Sequence, residues 1–393
     1  MKKTKNKIKT YFYIVFITIF FSIFLLSYLI LDNLNKDINS RKNKFHTTRP
    51  EKKDFYDDVF SFPKKKLDLD QKIVVGGIIP HHLLAGDLIA EFFSNLENLN
   101  FDTVILLGPD HFNTTKSNIT TSGYDWKTPF GILEVDRDLL GEVIKFSNVK
   151  IEEDIFIEEH SIYSHTGFIK RTFPNARFLP LVLNHKINSK EAEDFSNYLY
   201  RATKNKNVLV LASVDFSHYK NNKQAQINDK ESIRVIRDFN YQEIYNIDID
   251  SPPSIYTLLK FSELSQADFK LLNNSNSAIL SNNLDVEETT SYVTGFFTRD
   301  KDINNLPFNN DEEIRMLFFG DMMLDRHVGE KIKDKGLDYI FTNLKKDNFF
   351  ANYNLIGCNL EGAVTDLGAH YSPIMSYDFA FHPDLIQELK AKS

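Results

Sequence analysis

The feature that most constrains the fold is a set of apolar, β-branched runs that alternate with amphipathic stretches between residues 71 and 300. Runs of this kind indicate buried strands, and the stretches between them have the periodicity of helices. Strands that alternate with helices predict a mostly parallel, layered α/β sheet with helices on both faces. The predicted strands are KIVVGGIIP, DTVILLGP, ARFLPLVLN, NVLVLASVDF and a late strand, SYVTGFF.

Histidines follow three of these predicted strands. His81 and His82 follow the first, His111 follows the second, and Asp215 with His218 follows the fourth. Because the carboxyl ends of parallel strands meet at one edge, where ligand clefts form, we expect these side chains to converge. Imidazole binds transition metals and transfers protons near neutral pH. The repetition therefore predicts a metal or acid–base site, whereas a single such histidine would more often be a structural residue or a helix cap.

The amino terminus predicts a membrane anchor. Five lysines in the first ten residues precede an uncharged apolar run from Tyr11 to Leu31, which has the length of one bilayer-spanning helix. No small-residue cleavage pattern follows, so we interpret the run as a retained signal anchor. The basic residues before it favour the cytoplasmic side. The predicted location is the cell membrane, as a single-pass protein with most of the chain outside the cytoplasm.

The remaining boundaries follow from composition. Residues 1–10 are interpreted as a cytoplasmic tail, 11–31 as the transmembrane anchor, and 71–300 as the α/β domain. The polar, charge-dense residues 32–70 are typical of a tether, with a basic patch on anionic lipid headgroups as the alternative. Asn, Asp and Pro interrupt all periodicity in residues 301–312, which indicates a linker before a second module at 313–393.

Charge and cysteine content exclude several classes of protein. The formal net charge is -7, and most of the basic charge at the amino terminus precedes the folded part, so nucleic-acid binding is not expected. The single cysteine, Cys358, excludes an intrachain disulfide framework and a cysteine-rich zinc site.

Six motifs of the α/β domain, in order, resemble those of the Memo family, including the protein B members of the AmmeMemoRadiSam group. They are PHHLLAG, GPDHF, W-x-TPFG, EEHSI, FLPLVLN and S-x-DFSHY. The resemblance implies the fold of the class III extradiol dioxygenases, with a metal-binding cleft. It also implies roles for individual residues: metal ligands, His81 and His111; acid–base catalysis, His218 with Asp215; positions next to the metal or substrate, His82, Glu159 and His160.

One position departs from the resemblance. The Memo family commonly carries a cysteine in a CG-x-x-PI-like segment late in the domain, and the corresponding stretch here is read as NNSNSAIL, Asn273 to Leu280. Its nearest equivalents, Asn274 and Ser275, hold a metal less strongly than a thiolate or a carboxylate. Two histidines and one further anionic ligand would bind iron or copper, but the third ligand is left open.

The second module carries its own candidate site. A strand that ends in Gly320 and Asp321 presents a carboxylate at its tip, and Asn359 and Glu361 after the next strand would add ligands. A turn-forming Gly-Asp is the alternative. The segments GDMMLDR, NLEGAVT and FAFHPDLIQELK resemble the CapA family of poly-gamma-glutamate capsule biosynthesis proteins, which implies a metallophosphoesterase-like α/β fold. The later histidine-bearing segments of such a site are missing, so we expect an incomplete module without phosphoesterase activity.

Two functional classes remain open from the sequence. The first is a metal-dependent oxidoreductase of the extradiol-dioxygenase type, with iron or copper on His81 and His111. The second is a non-catalytic module that binds a small molecule or a cell-envelope polymer in the same cleft. Three histidine motifs favour the first class, and the departure at the cysteine position favours the second.

Overall fold

A nine-stranded mixed sheet organises the larger part of the chain in this computed structural model. The structure describes residues 36, 40–301, 316–346, 355–366 and 380–386. The strands of the larger part are β1 (Phe45–Thr47), β2 (Lys72–Ile79), β3 (Thr103–Pro109), β4 (Ile119–Thr121), β5 (Asp125–Thr128), β6 (Gly131–Leu133), β7 (Val149–Ile151), β8 (Arg177–Leu183), β9 (Val208–Ser213), β10 (Phe216–Lys220), β11 (Asp268–Asn276) and β12 (Thr289–Asp300).

Four of the strands predicted from the sequence form the centre of this sheet. The order is β10-β12-β2-β9-β3-β8-β4-β7, with β11 also paired to β12. Strands β2, β9, β3 and β8 are mutually parallel neighbours. Their nearly continuous apolar sequences suit strands that are covered on both faces. Strand β12 pairs antiparallel to β2, and β4 pairs antiparallel to β8, so the sheet is mixed. The α/β class is confirmed.

Helices cover both faces of the sheet, as predicted. Within β3, Val104 and Leu106 belong to one buried core and Ile105 and Leu107 to the other, because successive side chains of a strand point to opposite faces. Helices α1 (Lys53–Ser61), α2 (Gly86–Ser94) and α4 (His160–Thr172) pack on the first face. The second face carries α3 (Arg137–Val143), α5 (Ser189–Ala202), α6 (Asn222–Arg237) and α7 (Pro252–Leu264), and a short helix, α8 (Ser277–Leu280), follows β11.

The predicted transmembrane helix over residues 11–31 requires correction. A bilayer-spanning helix needs about 20 consecutive apolar residues. The longest helix in the described part of the chain is α6, which has 16 residues and many charged side chains. Among the described residues, no helix is both long enough and apolar enough to cross a membrane. The structure therefore does not support the transmembrane element of the predicted fold class or the single-pass location. Residues 1–31 themselves lie outside the described part.

Residues 45–69 were interpreted as part of a tether, but in the structure they contain a strand and a helix. Strand β1 pairs parallel to β5 in a small three-stranded sheet with β6. In α1, Tyr56 is fully buried and packs edge-on against Phe168, with ring centroids 4.9 Å apart. A β-carbon on Gly167 would lie only 2.0 Å from the Tyr56 hydroxyl, so the glycine permits this close approach. The sequence did not predict these contacts because the segment is mostly polar and only a few apolar side chains form them.

The chain divides into two compact units, Met1–Ile303 and Asn304–Ser393. The division falls in the segment interpreted as a linker, and residues 302–315 lie outside the described part. In the second unit, a small core contains Leu324, Ile332 and Leu337. Its elements are β13 (Met316–Met322), α9 (Arg326–Lys335), α10 (Asp338–Lys346), β14 (Leu355–Leu360), β15 (Ala363–Val364) and β16 (Ala380–Phe381). Strands β13 and β14 are parallel, as are β15 and β16.

Candidate metal centre

Three neighbouring parallel strands deliver polar side chains to one point of the sheet edge. His81 lies two residues beyond β2, Asp215 two residues beyond β9, and His111 two residues beyond β3. Since the spatial order of these strands is β2-β9-β3, the equal offsets place the three side chains side by side. The ring centroids of His81 and His111 are 4.9 Å apart. The convergence expected from the strand pattern therefore occurs in the structure.

His81 is held on both sides of its ring. Its side chain is 2% exposed, and Nδ1 lies 3.2 Å from the hydroxyl of Ser213, the last residue of β9. Its backbone N–H donates to Oδ1 of Asp215 at 3.1 Å. The opposite ring nitrogen, Nε2, faces the two carboxylates of Asp215 and Asp250, at 3.7 and 3.2 Å. These contacts leave Nε2 as the nitrogen directed into the centre.

His111 is oriented by Glu159, the residue that caps helix α4. The ring nitrogen Nδ1 of His111 donates to Oε1 of Glu159 at 2.7 Å, and its backbone N–H donates to Oε2 at 3.0 Å. Glu159 is 1% exposed and also accepts the backbone N–H of Ser161, which satisfies the first turn of the helix. A histidine whose second nitrogen is bound to a carboxylate is the usual arrangement at metal sites.

His160 completes a group of three imidazoles. It is the first residue of α4, and its ring stacks on His111 with centroids 4.0 Å apart and meets His81 edge-on at 5.0 Å. One potential ligand atom from each of His81, His111 and His160 lies within 4.8 Å of the others. The sequence placed His160 beside the metal or substrate, and the structure brings it into the same cluster as the two predicted ligand histidines.

Asp250 is a member of the site that the sequence interpretation missed. A second group with ligand atoms within 4.8 Å of one another contains His81, Asp215 and Asp250. Oδ2 of Asp250 is 3.2 Å from Nε2 of His81 and 3.7 Å from Nε2 of His111. The residue lies between α6 and α7, just before the Ser251 cap of α7 and its two prolines. That Ser-Pro-Pro helix start was the available signal, but it gives no distance to the histidines.

His165 is also part of the surroundings, although its sequence context gave no reason to select it. It is fully buried within α4, and Nε2 lies 3.0 Å from the same Ser213 hydroxyl that contacts His81. Burial, together with the positive charge of His81, lowers the pKa of His165 well below its ordinary value. His165 is therefore a neutral partner that helps to fix the position of Ser213.

The other predicted residues occupy different positions around the centre. His82 is exposed, and its Nδ1 lies 2.6 Å from the hydroxyl of Tyr292 on β12. His218 is half-buried on β10, and its charge acts on Asp215. Asn274 lies on β11, and its amide donates to Asp229 at 3.1 Å. The structure thus brings Asp250, rather than the Asn274 region, to the two histidines.

The charges of the centre are strongly coupled. Burial would lower the pKa of His111, but its interactions with the Asp250 and Glu159 carboxylates outweigh burial and raise the pKa to about 10. For His81, burial also opposes protonation, yet the charges of Asp215 and Asp250 raise its pKa. Burial and the positive charges of His111 and His81 lower the pKa of His160 to about 4. The carboxylates therefore favour the protonated forms of His81 and His111, whereas His160 is neutral at pH 7.

The carboxylates shift in opposite directions. Burial raises the pKa of Asp215, and the charge of His81 only partly offsets it. Burial acts in the same sense on Asp250, but the charge of His81 and the interaction with His111 hold its pKa below the ordinary value. Glu159 behaves like Asp250, because hydrogen bonds from His111 and Ser161 outweigh its burial. Asp250 and Glu159 are therefore the permanent negative charges of the site.

The candidate residues of the second unit lie at the ends of its parallel strand pair. Asp321 is next to Asn359 in the pairing of β13 and β14, and the Asn359 amide donates to Oδ1 of Asp321 at 2.6 Å. Both side chains are exposed, whereas Glu361 is half-buried one residue beyond β14. The structure brings Asp321 and Asn359 together, and the backbone N–H of Glu361 donates to the carbonyl oxygen of Met322 at 3.2 Å.

Comparisons with known proteins identify similarity in the first unit. A family model described as Memo-like protein matches residues 51–295. A MEMO1 family protein of Nitrosopumilus maritimus is 28% identical over 178 residues, which cover 44% of this chain and 64% of the relative. This chain thus spans less than two thirds of that relative. A MEMO1 family protein of Methanosarcina barkeri is 30% identical over 229 residues, 56% of this chain and 85% of the relative. A solved structure of an uncharacterized Escherichia coli K12 protein matches with a TM-score of 0.35 and 10% identity, covering 56% of this chain and 99% of that chain.

Proposed function

We propose, because this chain belongs to the Memo family, that the centre at His81 and His111 binds one divalent transition metal and presents it to a small organic substrate. The observation that carries the proposal is the orientation of the two rings. Each Nδ1 is fixed by a partner, Ser213 or Glu159, and each Nε2 is directed toward the same carboxylate. This donor set of imidazoles and carboxylates suits iron(II) and related divalent metals.

A bound metal would supply Lewis acidity and redox chemistry that the side chains lack. His81 and His111 would hold it through Nε2, after giving up the protons they carry in the metal-free centre. His160 is 36% exposed at its side chain and neutral at pH 7, so it can accept a hydrogen bond or a proton from a substrate group on the open side. Burial of the His81 side chain excludes water from its ring nitrogens.

Proton transfer is assigned to the pair Asp215 and His218. Because burial raises the pKa of Asp215, its carboxyl group can hold a proton more readily than an exposed aspartate. His218, half-buried on the neighbouring strand β10, resembles the acid–base histidine of the extradiol dioxygenases. The substrate class we propose is a catechol-like diol, whose hydroxyl groups need both a metal and a proton acceptor. Oxidative ring cleavage is the corresponding reaction, as in the class III extradiol dioxygenases.

Metal stoichiometry is the direct test of this proposal. The full-length chain is loaded anaerobically with iron(II) or copper, desalted, and analysed by mass spectrometry for bound metal. We expect about one metal ion per chain in the wild type and almost none in the double variant His81→Ala, His111→Ala. The matched control is His185→Ala, which removes an exposed histidine outside the centre and should leave the stoichiometry unchanged.

Substrate turnover is tested on the loaded protein by oxygen uptake with a panel of catechols. Uptake that His218→Ala abolishes while metal content stays the same would support the assigned proton transfer. Absence of metal in the wild-type chain would refute the metal-centre proposal itself. Bound metal without oxygen uptake would refute oxidative cleavage and favour the second candidate, a non-catalytic module that binds a small molecule or an envelope polymer.

In the described part of the second unit, Asp321 and Asn359 are the residues that bear on that second candidate. Their side chains form a hydrogen bond near the ends of two adjacent parallel strands. We propose that this pair contributes to a weak divalent-cation site and not to catalysis. Manganese titration tests this proposal by comparing the His81→Ala, His111→Ala variant with and without the further substitution Asp321→Asn. Equal binding by the two proteins would contradict it.

A further inference from the structure

We infer that Asp250 is the third protein ligand of the metal and that its carboxylate makes the centre select iron(II) over copper(I). The inference rests on the proposed function, because it concerns the same metal. It goes beyond the resemblance, which left the third ligand open and offered only an amide or a hydroxyl near Asn274. Three observations support it: the position of Asp250, the hydrogen bonds that hold its carboxylate, and the lack of a hydrogen-bond partner for its Oδ1 among the described residues.

Asp250 is the carboxylate that lies near the Nε2 atoms of both ligand histidines. Its Oδ2 is 3.2 Å from Nε2 of His81 and 3.7 Å from Nε2 of His111. The two nitrogens directed into the centre thus share one oxygen atom as their neighbour. A metal ion bound to both nitrogens would lie next to the same carboxylate oxygen.

The backbone fixes this carboxylate before any metal arrives. The backbone N–H of Asp215 donates to Oδ2 of Asp250 at 3.1 Å, and the backbone N–H of Asp250 donates to the carbonyl of Asp215 at 3.1 Å. Ile249 forms an antiparallel bridge with Phe216, which ties the segment to the start of β10. Ser251 then caps α7. A preorganised ligand of this kind loses little conformational entropy when it binds a metal.

The second oxygen of Asp250 has no hydrogen-bond partner among the described residues. Oδ1 is buried, and the side chain as a whole is 12% exposed. A buried, ionised oxygen without a donor is costly, and such exceptions often mark a functional site. A cation bound to the Asp250 carboxylate through Oδ2 would compensate the negative charge that the two oxygens share.

The competing residues are already engaged elsewhere. The Asn274 amide donates to Asp229 and to the carbonyl of Tyr292. Asp215 uses Oδ1 to accept the backbone N–H of His81, and its Oδ2 lies farther from Nε2 of His81 than Asp250 does.

The ligand type determines which metal the centre prefers. Two imidazoles and one carboxylate with open positions are the ligand set of non-haem iron(II) oxygenases, whereas a thiolate shifts preference toward copper(I) and zinc. A carboxylate at residue 250 therefore predicts that this chain binds iron(II) in preference to copper(I). Replacement of that carboxylate by a thiol should reverse the preference without changing the two histidines.

Metal titrations of the full-length chain test the inference. The variants are Asp250→Asn and Asp250→Cys, with Asp248→Asn as the matched control, which removes a carboxylate two residues earlier. Affinities for iron(II), cobalt(II) and copper(I) are measured anaerobically by competition with chromophoric chelators. Cobalt spectra report thiolate ligation through a near-ultraviolet charge-transfer band. Circular dichroism and urea unfolding verify that each variant is folded. We expect Asp250→Asn to fold because the Asn amide oxygen can still accept the backbone N–H of Asp215.

We expect Asp250→Asn to weaken iron(II) and cobalt(II) binding by about 100-fold or more, and Asp248→Asn to leave both unchanged. Asp250→Cys should gain the cobalt–thiolate band and bind copper(I) at least tenfold more tightly than the wild type. The band should be lost when His81→Ala is added. Equal affinities for the wild type and a folded Asp250→Asn, or no thiolate band in a metal-bound Asp250→Cys, would overturn the inference. If the wild type and every variant bind no metal, the proposed function fails instead.

Discussion

Substitution of Glu159 by glutamine tests how a residue outside the predicted ligand set controls the centre. Glu159 accepts four hydrogen bonds through two oxygens. Oε1 accepts the backbone N–H and hydroxyl of Ser161 and Nδ1 of His111, and Oε2 accepts the backbone N–H of His111. Glutamine has one oxygen and one NH₂ group. Whichever way the amide is oriented, at least one donor of His111 then faces another donor.

The expected magnitude follows from these contacts and from the 2% exposure of the Glu159 side chain. Leaving one buried donor unpaired costs about 1–3 kcal/mol of folding stability. Loss of the carboxylate that orients a metal-binding histidine typically lowers metal affinity by about 10- to 100-fold, which corresponds to about 1.4–2.8 kcal/mol of binding free energy. Both effects should occur together, because one side chain caps helix α4 and fixes the His111 ring.

Two measurements separate the effects. Urea unfolding of the metal-free protein gives the change in the free energy of unfolding, and anaerobic competition titration with iron(II) or cobalt(II) gives the change in affinity. The control is Glu158→Gln, because the neighbouring carboxylate is 65% exposed and lies 3.8 Å from an Arg49 guanidinium nitrogen. This control should stay within about 0.5 kcal/mol in stability and should not change metal affinity.

The result that would refute the reasoning is a metal affinity of Glu159→Gln equal to that of Glu158→Gln. Equal affinity would mean that the Nδ1 contact of His111 does not position its Nε2 for a metal. A loss of stability without a loss of affinity would leave Glu159 as a helix cap only.

Three further predictions concern other parts of the first unit. Tyr56→Ala should destabilise the protein by about 3–5 kcal/mol in urea unfolding, because the ring is fully buried; a change below about 1 kcal/mol would contradict integration of this segment. Asp136→Asn should cost about 1–3 kcal/mol at neutral pH. Burial opposes ionisation of Asp136, but Lys206 and other hydrogen-bond donors lower its pKa, so this difference should persist above pH 4 and shrink as the pH falls below that value, as measured by unfolding at several pH values. Metal binding should release at least one proton at pH 7, since neighbouring carboxylates outweigh burial, raise the pKa of His111 to about 10 and raise that of His81 above its ordinary value; calorimetry in buffers of different ionisation enthalpy would show no release if both were neutral.

The sequence predicted the strands of the first unit well because their apolar runs are nearly continuous. Strands β2, β3, β8 and β9 coincide with the runs identified from composition, and the His81 and His111 segments follow two of them. Patterns with weaker hydrophobicity were interpreted less accurately. The segment around Tyr56 was interpreted as a polar tether because it has few apolar residues, although these residues are packed in the core. The predicted transmembrane helix is a separate case: no helix in the described part of the chain is long and apolar enough to cross a membrane.

The third carboxylate of the site shows why sequence patterns were insufficient there. Asp250 lies 35 residues after Asp215 in the chain, separated from it by β10 and helix α6. The local sequence indicates only that a helix begins at the following prolines. The return of the chain to the edge of β9 depends on how α6 and α7 pack over the sheet, and this packing has no short-range signature.

The sequence by itself determined the layered α/β class, the strand ends that carry histidines, and the family to which the chain is similar, because hydrophobic periodicity and local motifs are read along the chain. Only the tertiary structure decided how these groups are arranged, with His160 stacked on His111 and Glu159 bound to its Nδ1, and that Asp250 joins the two predicted ligands. The physical reason is that strand order and helix packing set distances between residues far apart in sequence, and metal chemistry depends on those distances.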